Sequence, residues 1–229
     1  MCFTAPKIGT GKSERHEPLN EAYTKMILTG QYDSPFVRRV AVTLQHYGLA
    51  YGRRAISVYG NFEETLAVNP LGKVPALELD DGEVLFDSQM ILDHLDELVG
   101  PERALTPPTG PARRRVLKRV TVALGVAEKA VALLAELYRR GPGTQDPAWI
   151  ERLERQIASG LAWLEGEKPE PWFEGREMRQ DDVTTAVTRT FLVNKLPDLM
   201  AGQSVPRLAR LAERCEALPA FWAAPFVEG

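Results

Sequence analysis

The chain has 229 residues, 44% hydrophobic and 26% charged, with a formal net charge of -3, a composition that suits two small folded domains and opposes global disorder. That charge lacks the basic surface phosphate neutralisation requires, which argues against nucleic-acid binding as the main activity. Cys2 and Cys215 are too few for a disulfide framework and sit in no zinc-ligand spacing, no apolar run reaches membrane-spanning length, and the N-terminus lacks a secretory apolar core, so a cytoplasmic protein without a metal is expected.

Residues 1–25 show no apolar period and precede Met26, itself able to begin a compact domain; they read as an N-terminal extension or a misassigned start. The GTGKS stretch within them imitates a phosphate loop, but Pro6 stands where the full pattern needs glycine, and no strand precedes it. MILTG, 26–30, is a short apolar run ended by glycine and predicts a buried strand. A helix follows, with Ser34 as N-cap, Pro35 as first helical residue, Gly48 as terminator, and Phe36, Val40, Val42 and Leu44 on its apolar side. RRAISVY, 53–59, predicts a second strand, and Asn61 with Glu64 a capping-box start for a short helix. A strand from Ala76, a hairpin turn at Asp81 and Gly82, and a returning strand come next. Asp87 and Ser88 then open a helix with Ile91, Leu95 and Leu98 on one face and Gly100 at its end. The order is βαβαββα.

Four prolines between 100 and 111 mark a linker, and beyond it strand signals vanish. Val116, Val120, Leu124, Ala127, Val131, Leu134 and Tyr138 repeat as the stripe of a long helix, and Leu153, Ile157, Leu161 and Leu164 mark another. Further helices are predicted over 181–195 and 206–217. The expected division is an extension at 1–25, an α/β domain at 26–100, a linker at 101–110 and an all-α domain at 111–229. His16, His46 and His94 share no metal spacing, the basic run Arg113, Arg114, Arg115, Lys118 and Arg119 reads as a solvated helix face, and Trp149, Trp163, Trp172 and Trp222 read as packing residues.

The βαβαββα unit followed by helices resembles the glutathione S-transferase superfamily, whose N-terminal domain is thioredoxin-like. SPFVRR stands where that family has its catalytic loop, NPLGKVPAL resembles its glutathione-backbone motif and FDSQMILDHL its third motif, in order and at family-like spacing over about residues 26–225. The resemblance implies a cis peptide between Val74 and Pro75, with the Val74 backbone pairing to the cysteinyl backbone of glutathione. Lys73 can meet a ligand carboxylate. Ser88 would bind the γ-glutamyl carboxylate at a helix N-terminus and Asp87 its ammonium. One departure concerns folding: Arg179 stands where the family has the Ser or Thr of a capping box before Asp182, and Asp181 is the expected substitute cap.

A glutathione thiol behaves like free cysteine, with pKa about 8.5, so roughly 3% is thiolate at pH 7; lowering it by about two units requires about 2.7 kcal/mol. A hydroxyl bond to the charged sulfur supplies about 1.5–3 kcal/mol, and a helix N-terminus acts in the same direction. Ser34 is the favoured donor and Tyr32 its competitor, with Phe36 bordering the second substrate. The resemblance thus implies a glutathione-dependent transferase, acting on a small apolar electrophile as a homodimer. The alternatives are a non-catalytic interaction module of the same fold and a glutathione-dependent thiol oxidoreductase, which the absence of a loop cysteine disfavours.

Overall fold

The computed structural model describes residues 26–227; the GTGKS stretch, Cys2, His16 and the reading of 1–25 as an extension lie outside the described residues. β1 (Ile27–Thr29), α1 (Pro35–Tyr47), β2 (Gly52–Arg54), α2 (Phe62–Val68), β3 (Ala76–Glu78), β4 (Val84–Leu85) and α3 (Ser88–Val99) follow the expected order. The strands form one mixed sheet ordered β2-β1-β3-β4, in which β1 runs parallel to β2 and antiparallel to β3, and β3 antiparallel to β4. α4 (Gly110–Tyr138), α5 (Pro147–Gly166), α6 (Gln180–Lys195), α7 (Pro197–Ala201), α8 (Pro206–Glu216) and α9 (Pro219–Trp222) complete a thioredoxin-like domain followed by an all-helical one. No helix among the described residues is long and apolar enough to cross a membrane.

Local chemistry explains most boundaries. Ser34 caps α1, its Oγ accepting the Val37 N–H at 3.4 Å, and Gly48 closes the helix in the left-handed region at φ 69°. β2 is shorter than expected. Gly30 N–H donates to the Arg54 carbonyl at 2.9 Å, after which the chain from β1 turns away toward α1 and leaves 55–59 without a ladder partner. The Asn61–Glu64 capping box does not close either: Asn61 Nδ2 donates to Glu64 Oε1 at 2.7 Å while its Oδ1 accepts the Ser57 N–H at 3.3 Å, so the pair ties the preceding turn.

The stripe expected on α4 holds at its start and drifts afterwards. Its buried seam runs through Val116, Val120, Ala123, Val126, Ala127, Ala130 and Leu133, whereas Leu124, Val131 and Leu134 are half-buried and Tyr138 is 72% exposed. Packing against both α5 and α6 imposes a seam returning every seven residues, at Val116, Ala123 and Ala130, while the expected stripe followed a longer period. Gly160 of α5 belongs to this close approach: a Cβ there would stand 2.4 Å from Val126 Cγ2.

The basic run is not a uniform solvated face. Arg119 is buried and bonds Glu167 at 2.9 Å, Glu174 at 2.6 Å and Asp181 at 3.1 Å, while Arg115 holds Glu174 and Arg113 reaches Asp93. Asp181 therefore serves that cluster, although its Oδ1 also accepts the Asp182 N–H at 3.2 Å. The cap of α6 keeps its carboxylate half, since Asp182 accepts the Arg179 N–H at 2.8 Å and the Phe173 N–H at 3.0 Å. Trp163 and Trp172 pack on the core, but Trp149 is 41% and Trp222 68% exposed; Phe221 takes the buried position of α9 in place of Trp222.

The proline-rich segment lacks regular structure, as expected, yet it is pinned. The Tyr47 hydroxyl accepts the Leu105 N–H at 2.6 Å and bonds the Asp96 carboxylate, and Arg103 donates to the Tyr47 carbonyl at 2.6 Å. From the helical domain, Gln180 N–H reaches the Leu105 carbonyl at 3.2 Å.

Candidate functional site

Sheet register gathers the three motif segments at one edge. Thr29 of β1 opposes Ala76 of β3, which sets Gly30 beside Pro75, and Leu77 opposes Leu85 of β4. Because β3 is antiparallel to both neighbours, the exits of β1 and β4 and the start of β3 face the same way. The loop carrying Tyr32 and Ser34, the turn carrying Lys73, Val74 and Pro75, and the corner carrying Asp87 and Ser88 therefore share that edge. Gly30 shows how closely they meet: at φ 128°, a Cβ there would lie 2.5 Å from Val37 Cγ2 and 3.0 Å from Val74 Cβ.

Ser34 is half-buried, and its Oγ uses one lone pair on the helix cap. A hydroxyl has one proton to donate besides its acceptor capacity, and that proton has no acceptor among the hydrogen bonds of the described residues. α1 carries no acidic side chain in its first turn, so no side chain of that turn offsets the positive end of its dipole. Tyr32 sits in a different environment. It is 2% exposed, shares a 2.7 Å hydrogen bond with the Tyr51 hydroxyl, and lies beneath the Arg53 guanidinium, 3.5 Å from the ring centre. Burial, and then the Tyr51 hydrogen bond, push its phenol well above the ordinary range. Phe36, beside Ser34 in the first turn of α1, is half-buried.

The Val74–Pro75 peptide is cis, as the resemblance implies. Pro75 is buried, Val74 half-buried and Lys73 exposed. Asn69, 2% exposed, organises this turn: Nδ2 donates to the Lys73 carbonyl and Oδ1 accepts the Leu71 N–H, both at 2.9 Å. The signal for Asn69 was its place before Pro70, where an Asx turn is favoured.

At the third corner Asp87 is the N-cap of α3, its Oδ1 accepting the Gln89 N–H at 2.8 Å, and its side chain is exposed. Ser88 is 3% exposed, and its Oγ accepts Arg39 Nη1–H at 3.0 Å. Arg39 has no exposed surface; Nε donates to Thr184 Oγ1 of α6 at 3.2 Å, and Nη2 has no hydrogen-bond partner among the described residues. Burial pulls the guanidinium down to about 9, opposed by the Asp87 and Asp96 carboxylates, which leaves it cationic at neutral pH. Arg38 is equally buried and faces the other way: Nε donates to the Ala224 carbonyl at 2.9 Å, and both Nη groups grip Glu216 at 2.7 Å. Sequence reasoning passed over both arginines. Their signal was the imperfect apolar side of α1, where two cations interrupt the buried run from Val37 to Val40.

Two concavities lie away from these segments. One, of about 940 Å³, opens between α4 and α5 along Val122, Lys129, Arg152, Arg155 and Trp163; a second, of about 510 Å³, lies beside α7 and α8. Among the described residues, no three His, Cys, Asp or Glu side chains gather as a metal-binding group.

Comparison with known proteins gives the same fold. The model of the glutathione S-transferase N-terminal domain matches residues 28–103. The chain is 30% identical over 141 residues to the GST-like protein YibF of Escherichia coli K12, covering 62% of this chain and 69% of that one. It is 28% identical over 205 residues to the maleylacetoacetate isomerase of Pseudomonas aeruginosa, covering 86% and 93%. The crystal structure of a glutathione transferase family member from Pseudomonas fluorescens Pf-5 with bound glutathione superposes with a TM-score of 0.78 at 32% identity, covering 87% of this chain and 98% of that one. With its thioredoxin-like sheet, its all-helical second domain and these relatives, the chain belongs to the glutathione S-transferase superfamily.

Proposed function

We propose that the protein is a glutathione transferase that ionises the glutathione thiol at Ser34 and directs it at a small apolar electrophile. The observation carrying this reading is the gathering of three segments on one sheet edge, each offering the chemistry one part of the tripeptide needs. In this reading the Val74 backbone pairs with the cysteinyl backbone, Lys73 meets a carboxylate, Ser88 takes the γ-glutamyl carboxylate and Asp87 its ammonium. The Ser34 proton and the N-terminus of α1 stabilise the thiolate, which attacks carbon without a covalent enzyme intermediate. Tyr32, held by Tyr51 and Arg53, is assigned a packing role, and Phe36 a border of the second-substrate site.

The likeness to a maleylacetoacetate isomerase over most of its length supports a second reading, a glutathione-dependent isomerase. Its first step is the same: thiolate addition, here to a cis double bond. We further propose a homodimer, supported by the exposure of Phe62, Leu71 and Met90, at 52%, 67% and 50%, on the thioredoxin-like domain; sedimentation velocity tests it.

The direct test is conjugation of glutathione to an activated aryl halide. Ser34→Ala is expected to lower kcat at neutral pH by about tenfold or more with a small change in KM for glutathione, and Tyr32→Phe to change it little. Tight glutathione binding with no turnover of aryl halides, activated alkenes or cis-dienoates would support the scaffold alternative. Loss of turnover in Tyr32→Phe but not in Ser34→Ala would reverse the residue assignment.

A further inference from the structure

We infer that Arg39 is a positioning residue for the γ-glutamyl carboxylate: it fixes the Ser88 hydroxyl as an acceptor toward the protein and thereby as a donor toward the ligand. The inference rests on the glutathione reading above and goes beyond it by placing part of ligand recognition in α1 and the helical domain.

Ser88 Oγ accepts Arg39 Nη1–H at 3.0 Å, and its own proton has no acceptor among the hydrogen bonds of the described residues. A hydroxyl rotor so engaged has its remaining donor direction set before a ligand arrives. Arg39 is itself fixed from the far side, by Nε to Thr184 Oγ1 at 3.2 Å, and Thr184 spends its proton on the Gln180 carbonyl at 2.7 Å. Donation therefore starts at Arg39 and runs both ways, through Thr184 into α6 and to Ser88, whose own proton is left to point outward.

Nη2 makes the second point. This donor is buried, on a side chain with no exposed surface, and lacks a partner among the described residues. An unsatisfied donor on a buried cation is costly unless an anion offsets it when bound. The carboxylates of Asp87 and Asp96 are the charges that bear on Arg39 in the free protein, and Asp87 spends an oxygen on the Gln89 N–H. A ligand carboxylate at the Ser88 corner would meet the serine proton and the field of this cation together. A guanidinium suits the task because its planar fork spans Ser88 and Thr184 at once, which a lysine ammonium does not reproduce.

The test compares glutathione with 4-aminobutyryl-cysteinyl-glycine, which lacks only the γ-glutamyl α-carboxylate. Calorimetry on the full chain should show wild type preferring glutathione by about ten- to a hundredfold, the range of a charge-assisted hydrogen bond. Arg39→Met should bring the two ligands within about threefold by weakening glutathione alone, Arg39→Lys should fall between, and Ser88→Ala combined with Arg39→Met should be no worse than either alone. A purely structural arginine would weaken both ligands together and leave their ratio at the wild-type value. If Arg39→Met does not fold, Thr184→Val decides: loosening one end of the guanidinium should reduce the ratio several-fold with the analogue's affinity unchanged, and an unchanged ratio overturns the inference. Wild type binding glutathione without preference over the analogue overturns it too. Wild type binding neither ligand instead removes the glutathione reading on which it stands.

Discussion

Arg38 and Arg39 are neighbours on α1, both buried, both reaching into the helical domain, and they end differently. Arg38 meets Ala224 and Glu216 with its Nε and both Nη groups, and Thr190 adds a 2.6 Å bond to the same carboxylate. Arg39 meets two neutral hydroxyls and keeps one donor without a partner among the described residues. A buried cation matched to a carboxylate is a fastening between domains, whereas one left partly unmatched beside a helix N-terminus is suited to an outside anion. The seam at α8 and α9 is thus closed, whereas the seam at α3 and α6 holds a buried donor without a partner among the described residues.

The largest expected effect breaks the closed seam. Arg38→Met should destabilise the protein by about 3–4 kcal/mol in denaturant unfolding, since it strands Glu216 and the Ala224 carbonyl, while glutathione affinity of the folded fraction stays at the wild-type value. Loss of affinity in Arg38→Met comparable to that in Arg39→Met would erase the distinction. Next, Gly30→Ala forces a side chain into a left-handed backbone and against Val37 and Val74. About 2–3 kcal/mol of stability should go, and glutathione affinity should fall with it because the Val74 turn moves.

A smaller effect tests the helical domain alone. Burial, and for Asp182 the charge of Asp181, raise the pair: Asp182 is pushed up to about 8 and Asp181 to about 6. Groups raised in the folded state stabilise below the unfolded value and lose that contribution as pH rises through the folded one. Stability should therefore fall by about 1–2 kcal/mol between pH 7 and 9, with the Cys215 thiol, raised mainly by burial, adding in the same direction. A melting temperature constant or rising over that range contradicts this. The smallest stability change is Ser34→Ala, about 0.5 kcal/mol for a long cap bond, which separates its role in the fold from its larger expected role in chemistry.

Element order was legible because punctuation is local: Ser34-Pro35, Gly48, Asp81-Gly82 and Asp87-Ser88 each set a boundary through their own backbone preferences. What failed depended on distant partners. The end of β2 follows from where β1 turns away, and the buried face of α4 follows from α5 and α6 together. The candidate site divides similarly. Its motif positions lie at junctions that a sequence displays, whereas Arg39 bonds Ser88 and Thr184, 49 and 145 residues away, a separation no local pattern encodes.

The central claim is that this sheet edge binds glutathione and ionises its thiol through Ser34. Ultraviolet absorbance of the bound thiolate against pH tests it most directly. Wild type should show the thiol half-ionised near about pH 6.5, roughly two units below the free value, with Ser34→Ala returning most of that shift. Bound glutathione titrating near its free value in wild type would contradict the account.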